Sequence, residues 1–162
     1  MTFVDNFGPK ANILVDDEGV PLVMDQGLSL LILPGEITTD NSLSTVRWNA
    51  PEILVPPEDN CTTPVDPEDK WRSSYTEKSD VYSLAMTILE VMTKKPPYSN
   101  LRRDTTVVNY VLQGLHPQKP INFSDNLWSL LESCWERSPE RRPTAQIVCS
   151  WLDVIKLGIV YN

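Results

Sequence analysis

Residues 48–52 read Trp48-Asn49-Ala50-Pro51-Glu52, and three other short strings keep a fixed order around them. Asp25-Gln26-Gly27 comes before this string, Ser79-Asp80-Val81-Tyr82-Ser83 follows it, and Ser138-Pro139-Glu140-Arg141-Arg142-Pro143 lies near the end of the chain. Each string alone is short enough to arise by chance. Their fixed order, together with the elements expected between them, makes one common origin the simpler interpretation.

Length and composition set the broad class of the protein. The chain has 162 residues, enough for one domain with its own core and too few for two ordinary ones. Its net charge of -8 disfavours non-specific binding to nucleic acid or to an anionic membrane. No apolar run approaches the ~20 residues that cross a bilayer, no signal-peptide pattern starts the chain, and the cysteines show no disulfide spacing. We therefore expect a soluble protein of the cytoplasm.

Two short apolar runs flank an acidic turn near the start of the chain. Residues 12–15 and 20–24 surround Asp16-Asp17-Glu18-Gly19, whose glycine can adopt a positive φ. This pattern predicts a β-hairpin. Residues 25–45 have loop composition. Residues 55–72 hold four prolines and five acids, which predicts an exposed, irregular and mobile insertion.

The rest of the chain has the pattern of helices. Apolar residues cover nearly every face of residues 80–93, which predicts a helix that is buried all round. Asp104 is the expected N-cap of a helix that runs through Leu112 and is closed by Gly114. Apolar residues on one face predict two further helices. They are Leu127, Leu130, Leu131 and Cys134 in the first and Val148, Trp151, Leu152 and Ile155 in the second.

In this order, the four strings resemble the second half of a protein kinase catalytic domain, over about residues 10–157. The resemblance implies a mainly α-helical chain of the α+β kinase-like fold: the helical large lobe, with a short β-hairpin at its start. We therefore expect residues 1–162 to form a partial kinase-like domain without the small lobe. Cys134-Trp135 before the Arg-Pro string is similar to the tyrosine-kinase-like branch. Thr45 stands where Ser/Thr kinases keep a threonine.

The resemblance also implies residues for ATP and Mg2+. Phosphoryl transfer needs metal ions that bridge the nucleotide phosphates and a carboxylate that takes the proton of the attacking hydroxyl. Asp25 matches the metal-binding Asp of the kinase Asp-Phe-Gly motif, and Gly27 matches its glycine. Asn12 matches the metal-binding Asn that ends the catalytic loop. Taken without the other strings, Asn12 and Asp25 are better explained as ordinary turn residues at strand ends.

The residue expected to act as the catalytic base is absent. Counting back from Asn12 along the family motif His-Arg-Asp-Leu-x-x-x-Asn places Phe7 at the position of the catalytic Asp. A phenyl ring cannot accept a proton or polarise a hydroxyl. Gln26 also replaces the Phe of the metal-binding motif, and the sequence has no Gly-rich loop and no strand Lys before these motifs. We expect this chain alone to bind MgATP weakly or not at all, and not to catalyse the reaction.

Five further residues match the family in structural roles. Ala50, Pro51 and Glu52 are similar to the end of a kinase activation segment. In the family this Glu pairs with the buried Arg of the Arg-Pro string, which is Arg142 here. The alternative is that Glu52 and Arg142 are two unrelated surface charges. Asp80 is expected to lie at a helix N-terminus, where a carboxylate accepts backbone N–H groups. Its family counterpart also tethers the catalytic loop.

Two function hypotheses follow from this sequence. The first is a protein kinase domain, whose family transfers the ATP γ-phosphoryl group to protein Ser/Thr or, as a second option, Tyr hydroxyls. In this hypothesis the chain is a truncated and inactive fragment of such a domain. The second is a shortened pseudokinase that acts as a protein-interaction or scaffold module. It would use the groove between the helices at 104–114 and 125–135, or the acidic insertion. The quality of the later motifs favours truncation, and in both cases the partner is a protein.

Overall fold

The computed structural model describes most of the second half of the chain and two shorter stretches before it. Every structural statement below concerns these residues. They are residues 13–23, 46–55, 75–121 and 123–160.

A short β-hairpin begins the described structure, as predicted. Strand β1 (Ile13–Val15) pairs antiparallel with β2 (Pro21–Val23), with Ile13 opposite Val23. The carboxylate of Asp16 accepts two backbone N–H bonds from the turn, at 3.0 and 2.8 Å. Gly19 takes a positive φ of 84°, which an L-residue adopts at a cost. These two features explain why the acidic turn closes the hairpin.

Residues 46–54 form two short helical turns joined by a buried bend. A 3₁₀ helix spans Val46–Trp48, and helix α1 spans Pro51–Leu54. Pro51 lies in the first turn of α1, where its missing N–H group costs no helical hydrogen bond. Ala50 is fully buried between the two turns. We refer to residues 46–54 as the anchor segment, because its side chains contact several other parts of the molecule.

Helix α2 (Glu77–Thr93) begins one turn earlier than the sequence pattern predicted. Its N-cap is Thr76, whose hydroxyl accepts a hydrogen bond from the Ser79 backbone N–H. The hydroxyl of Ser79 in turn accepts from the Thr76 backbone N–H at 2.9 Å. This reciprocal capping box satisfies two N–H groups at the helix start. Asp80 therefore lies inside the first turn and does not cap the helix.

The prediction that α2 is buried all round was wrong. Leu84, Val91 and Met92 leave 39%, 58% and 58% of their surface exposed. The opposite side of the helix is buried and includes Tyr82 and Met86. The number of apolar residues in a helix does not show which of its faces is buried, because an apolar face can also remain uncovered by the described residues.

Helix α3 (Asp104–Leu112) has the predicted length but a different cap. Arg103 is the N-cap residue and makes no side-chain capping bond. Asp104 is the first helical residue, and its carboxylate pairs with an arginine from another segment, so its prediction as N-cap was wrong. Gly114 follows the helix with a φ of 75°, as its predicted role in ending the helix requires.

Two helices complete the described structure. Helix α4 (Asp125–Cys134) buries the four residues predicted to line its inner face. A 3₁₀ turn (Pro139–Arg141) then leads to α5 (Ala145–Val160). Val148 of α5 is buried as predicted, but Trp151 leaves 49% of its surface exposed, so the inner face predicted for this helix was wrong at Trp151.

Helix α2 lies at the centre of the described core. It packs against α4 and against both 3₁₀ turns, while α3 packs against the anchor segment and α5 against α4. This mostly helical arrangement with a short hairpin fits the large lobe of a kinase-like fold, as predicted. Within the described ranges, no helix is both long and apolar enough to span a membrane.

Candidate functional site

An ion pair joins the anchor segment to the turn before α5. The Arg142 guanidinium donates from Nη1 to Glu52 Oε1 at 2.6 Å and from Nη2 to Glu52 Oε2 at 2.8 Å. This is the two-bond, fork-on-fork geometry that makes arginine–carboxylate pairs strong and directional. Because the two residues are 90 positions apart, the pair closes a large part of the chain into one body.

Arg142 is buried, and its remaining donors are satisfied by backbone carbonyls. Its Nε donates to the carbonyl of Glu136 at 2.8 Å, and its Nη1 donates also to that of Lys78 at 3.0 Å. The guanidinium lies 5.1 Å from the ring centroid of Tyr82, a distance at which a cation–π contact contributes. A guanidinium with this many partners is fixed in position, so it sets the position of Glu52.

Trp48 attaches the anchor segment to helix α2. Its indole Nε1 donates to Glu90 Oε2 at 3.2 Å, and both side chains are buried. The hydroxyl of Ser83 donates to the backbone carbonyl of Trp48 at 2.9 Å. One residue is thus bound to α2 through its side chain and its backbone, which limits both translation and rotation of the segment.

Arg47 attaches the same segment to the loop before α3. Its guanidinium contacts Asp104 Oδ1 from Nε at 2.9 Å and from Nη2 at 2.8 Å. The other bonds go to the carbonyls of Pro97 (3.1 Å), Tyr98 (2.9 Å) and Leu101 (3.0 Å). Five polar contacts from one side chain hold this loop in a single shape, and the side chain is mostly buried.

Two tyrosines continue this network into the core. The hydroxyl of Tyr98 donates to the carbonyl of Leu115 at 3.1 Å. Burial raises the pKa of Tyr98 to about 12 and raises the pKa of Tyr82 well above its ordinary value. Both hydroxyls stay protonated at neutral pH, and that of Tyr98 serves as a structural donor.

Asp80 lies apart from the anchor. Its side chain makes no hydrogen bond to another residue of the described ranges. Partial burial, and then the nearby Glu77 carboxylate, raise the pKa of Asp80 above its ordinary value. A carboxylate that accepted the backbone N–H groups of the helix start would show the opposite direction.

Several residues predicted for the site lie outside the described ranges. Phe7, Asn12, Asp25-Gln26-Gly27 and Thr45 all fall there, as does the acidic insertion apart from Val55. Among the described residues, no group of three His, Cys, Asp or Glu side chains could hold a metal ion. The structure thus brings together Ala50, Pro51, Glu52 and Arg142 and does not test the proposed nucleotide site.

Sequence reasoning missed Arg47 of the anchor segment and Glu90 of α2, which binds Trp48. Arg47 directly precedes the matched string, and its position next to Trp48 gave no hint of its many backbone partners. Glu90 was the single charged residue in the middle of an apolar helical run. A charge at such a position is a signal that a buried partner exists, because an unpaired buried carboxylate is costly.

Comparison with known proteins identifies the family. Residues 10–152 match the family model described as protein tyrosine and serine/threonine kinase. The chain belongs to this kinase family. A probable serine/threonine-protein kinase of Dictyostelium discoideum is 33% identical over 108 residues, which cover 67% of this chain and 6% of that protein. A serine/threonine-protein kinase of Arabidopsis thaliana is 32% identical over 139 residues, 85% of this chain and 21% of that protein.

A third relative of this kinase-family chain is a light-sensor protein kinase of Ceratodon purpureus. It is 31% identical over 112 residues, which cover 69% of this chain and 8% of that protein. The kinase-family chain therefore spans between 6% and 21% of the length of these three relatives. The similarity assigns the domain family and leaves the activity of the longer proteins to be tested here.

Proposed function

We propose that this chain is the large lobe of a serine/threonine-type protein kinase domain and does not catalyse phosphoryl transfer by itself. The supporting observation is a contrast between two parts of the motif set. Glu52 and Arg142, which hold the anchor segment, are present and paired at 2.6 and 2.8 Å. Phe7 occupies the position of the catalytic base. The residues that hold the scaffold are thus retained, whereas the residue that would accept the proton is replaced.

The retained scaffold is suited to presenting a fixed surface to a protein. The anchor segment is bound to three different parts of the chain through Arg47, Trp48 and Glu52. A surface that is ordered before binding loses little conformational entropy when a partner docks. We therefore keep the protein-interaction module as the second candidate function, as a shortened pseudokinase.

The nucleotide residues of this proposal are Asn12, Asp25 and Gly27. When bound, Mg2+ would neutralise the charge of the ATP phosphates, and the oxygens of Asn12 and Asp25 are suitable ligands for it. Without a side chain at position 7 that accepts a proton, a bound nucleotide would have no activated hydroxyl to react with. We propose that MgATP binding by this chain is weak or absent.

A phosphoryl-transfer assay tests the catalytic part of the proposal. The wild-type chain and an Asp25→Ala variant are incubated with radiolabelled MgATP and a mixture of protein substrates. We expect equal, background incorporation for both proteins, because the base is missing in each. Incorporation by the wild-type chain that Asp25→Ala abolishes would show that the chain is an active kinase and would overturn the proposal.

Thermal unfolding with and without MgATP tests the nucleotide part and separates the two candidate functions. Glu18→Ala, which removes an exposed acid from the turn of the hairpin, is the control for Asp25→Ala. A rise in Tm that is lost in Asp25→Ala alone would establish nucleotide binding, against our expectation. A cooperative transition without a shift supports the interaction module. The absence of any cooperative transition supports an incomplete domain with exposed apolar surface.

A further inference from the structure

A groove of about 710 Å3 opens beside the C-terminal end of α2. One wall is the loop 95–100, the other is the loop that leads into α4, and α5 closes one side. Its lining is mainly apolar. The apolar side chains include Leu89, Met92, Phe123, Leu127 and Ile155. The volume of the groove lies within the range of known ligand clefts, which are also lined mainly by apolar side chains.

The walls of the groove are held rigidly. Arg47 binds the carbonyls of Pro97 and Tyr98, which belong to the first wall. The hydroxyl of Tyr98 donates to the carbonyl of Leu115 at 3.1 Å, so the first wall is tied to the chain that leads into the second. Tyr98 also has a φ of 55°, a left-handed conformation that these bonds maintain. The groove therefore exists before any partner arrives.

The charge of the groove is opposite to that of the chain. Its lining contains two lysines, Lys95 and Lys119, and no Asp or Glu. The whole chain has 22 acids and 14 lysines and arginines. Within the described ranges, the Lys95 side chain makes no ion pair, and Lys119 pairs with Asp125 on the exposed rim. Water screens exposed pairs of this kind and keeps them weak, so Lys119 can exchange Asp125 for another carboxylate.

An exposed apolar side chain stands at the edge of the groove. Ile121 leaves 93% of its surface in water, and Met92 on the floor leaves 58%. Burying an isoleucine side chain removes apolar surface from water, which favours binding of a partner that covers this position. Methionine adapts its shape to different apolar partners.

We propose that this groove binds a peptide segment of another protein in which apolar side chains are flanked by aspartate or glutamate. The apolar side chains would cover Ile121 and Met92, and the carboxylates would pair with Lys95 and Lys119. The proposal rests on the second candidate function, the protein-interaction module, and specifies the chemical character of its partner. It does not depend on phosphoryl transfer: activity in the kinase assay would overturn the proposed function and leave the groove untouched.

Selection from a random-peptide display library tests the proposal. The library is selected on the wild-type chain, and the enriched peptides are then measured on a groove variant, Ile121→Asp with Lys95→Glu. The matched control is Val154→Asp with Lys156→Glu, which makes the same change in charge on exposed positions outside the groove lining. We expect enriched peptides to combine acidic and apolar residues, and to lose at least about tenfold in affinity for the groove variant alone.

Three results would overturn the proposal: no enrichment above background, enriched peptides without an excess of acids, or equal binding to the groove variant. Thermal unfolding checks that each variant is folded, and Ile121→Ser replaces the double variant if it is not. Light scattering tests whether a second copy of the chain occupies the groove. A concentration-dependent dimer that the groove variant abolishes would assign the groove to self-association and reject the peptide.

Discussion

At the scale of single residues, we expect the buried Arg142 to be sensitive to the loss of its partner. It is buried, and its charge is balanced by Glu52 alone among the described residues. We expect Glu52→Gln to lower the free energy of unfolding by about 3–5 kcal/mol, because it leaves a buried guanidinium without its counter-charge. Urea unfolding of the two proteins measures the difference.

An exposed pair provides the control for this substitution. Asp125→Asn removes the ion pair to Lys119 on the surface and should lower stability much less than Glu52→Gln does, because water screens an exposed pair. Arg142→Lys keeps the charge and loses the two-bond geometry, so its cost should be close to that of Glu52→Gln. If Glu52→Gln and Asp125→Asn cost the same, the buried pair does not hold the anchor segment as described.

The Tyr98 hydroxyl makes stability depend on alkaline pH. Its pKa is about 12 in the folded chain and 10 in the unfolded one. The folded state therefore holds this proton more tightly, so stability is unaffected below pH 10 and falls as the pH rises from 10 to about 12. The slope contributed by this group is at most ~1.4 kcal/mol per pH unit.

Urea unfolding at several pH values measures this dependence. Tyr98→Phe should cost about 1 kcal/mol at neutral pH, because the bond to Leu115 is lost, and should flatten the alkaline decline. Tyr82 and Cys134, whose pKa values burial also raises, maintain the rest of the decline. Tyr75→Phe, at an exposed position, is the matched control for the substitution. An unchanged profile in Tyr98→Phe would show that its hydroxyl is not the group that titrates.

At the scale of elements, the end of α2 carries a correctable strain. Lys94 caps the helix with φ 57° and ψ 22°, a left-handed conformation that is unfavourable for residues with a Cβ. We expect Lys94→Gly to raise the free energy of unfolding by roughly 0.5–1 kcal/mol, after the entropy cost of glycine. Lys95→Gly, next in the chain and without a positive φ, should give no gain. Equal effects of the two substitutions would argue against strain at Lys94.

Within the described ranges, the sequence predicted the type and position of the main elements better than it predicted which of their faces are buried. The hairpin, α3 and α4 were found where the periodicity placed them, because turn residues and apolar spacing act locally. The start of α2 was missed by one turn, since Ser79 and Thr76 cap each other through hydroxyls that a search for acidic caps overlooks. The exposed side of α2 could not be predicted, because exposure depends on which other segments cover a face.

In the anchor segment too, the identities of some residues were predicted and the contacts of others were not. Ala50, Pro51, Glu52 and Arg142 were expected from their resemblance to the kinase family. The contacts of Arg47 with the loop before α3 were not, because backbone carbonyls leave no trace in a sequence pattern.

At the scale of the whole molecule, helix α5 leaves an apolar strip in water. Trp151 and Val154 are 49% and 68% exposed. We expect Trp151→Gln with Val154→Lys to change the free energy of unfolding by less than about 0.5 kcal/mol per site and to reduce self-association. Val148→Ala, a buried position of the same helix, is the contrasting control and should cost about 2 kcal/mol. Urea unfolding and light scattering provide both measurements. A large loss of stability in the surface variant would show that the strip is packed in solution.

The separation of 90 positions between Glu52 and Arg142 has a consequence for the synthesis of this protein. The anchor segment leaves the ribosome long before the arginine that fixes it, so its contacts cannot be completed until Arg142 has been synthesised. Closing so long a loop costs entropy before its contacts form, which makes this pair a late event of folding. A chain that stops short of Arg142 would carry a carboxylate with nothing to balance it. Premature termination is therefore expected to give a product that proteases remove rather than a smaller working domain.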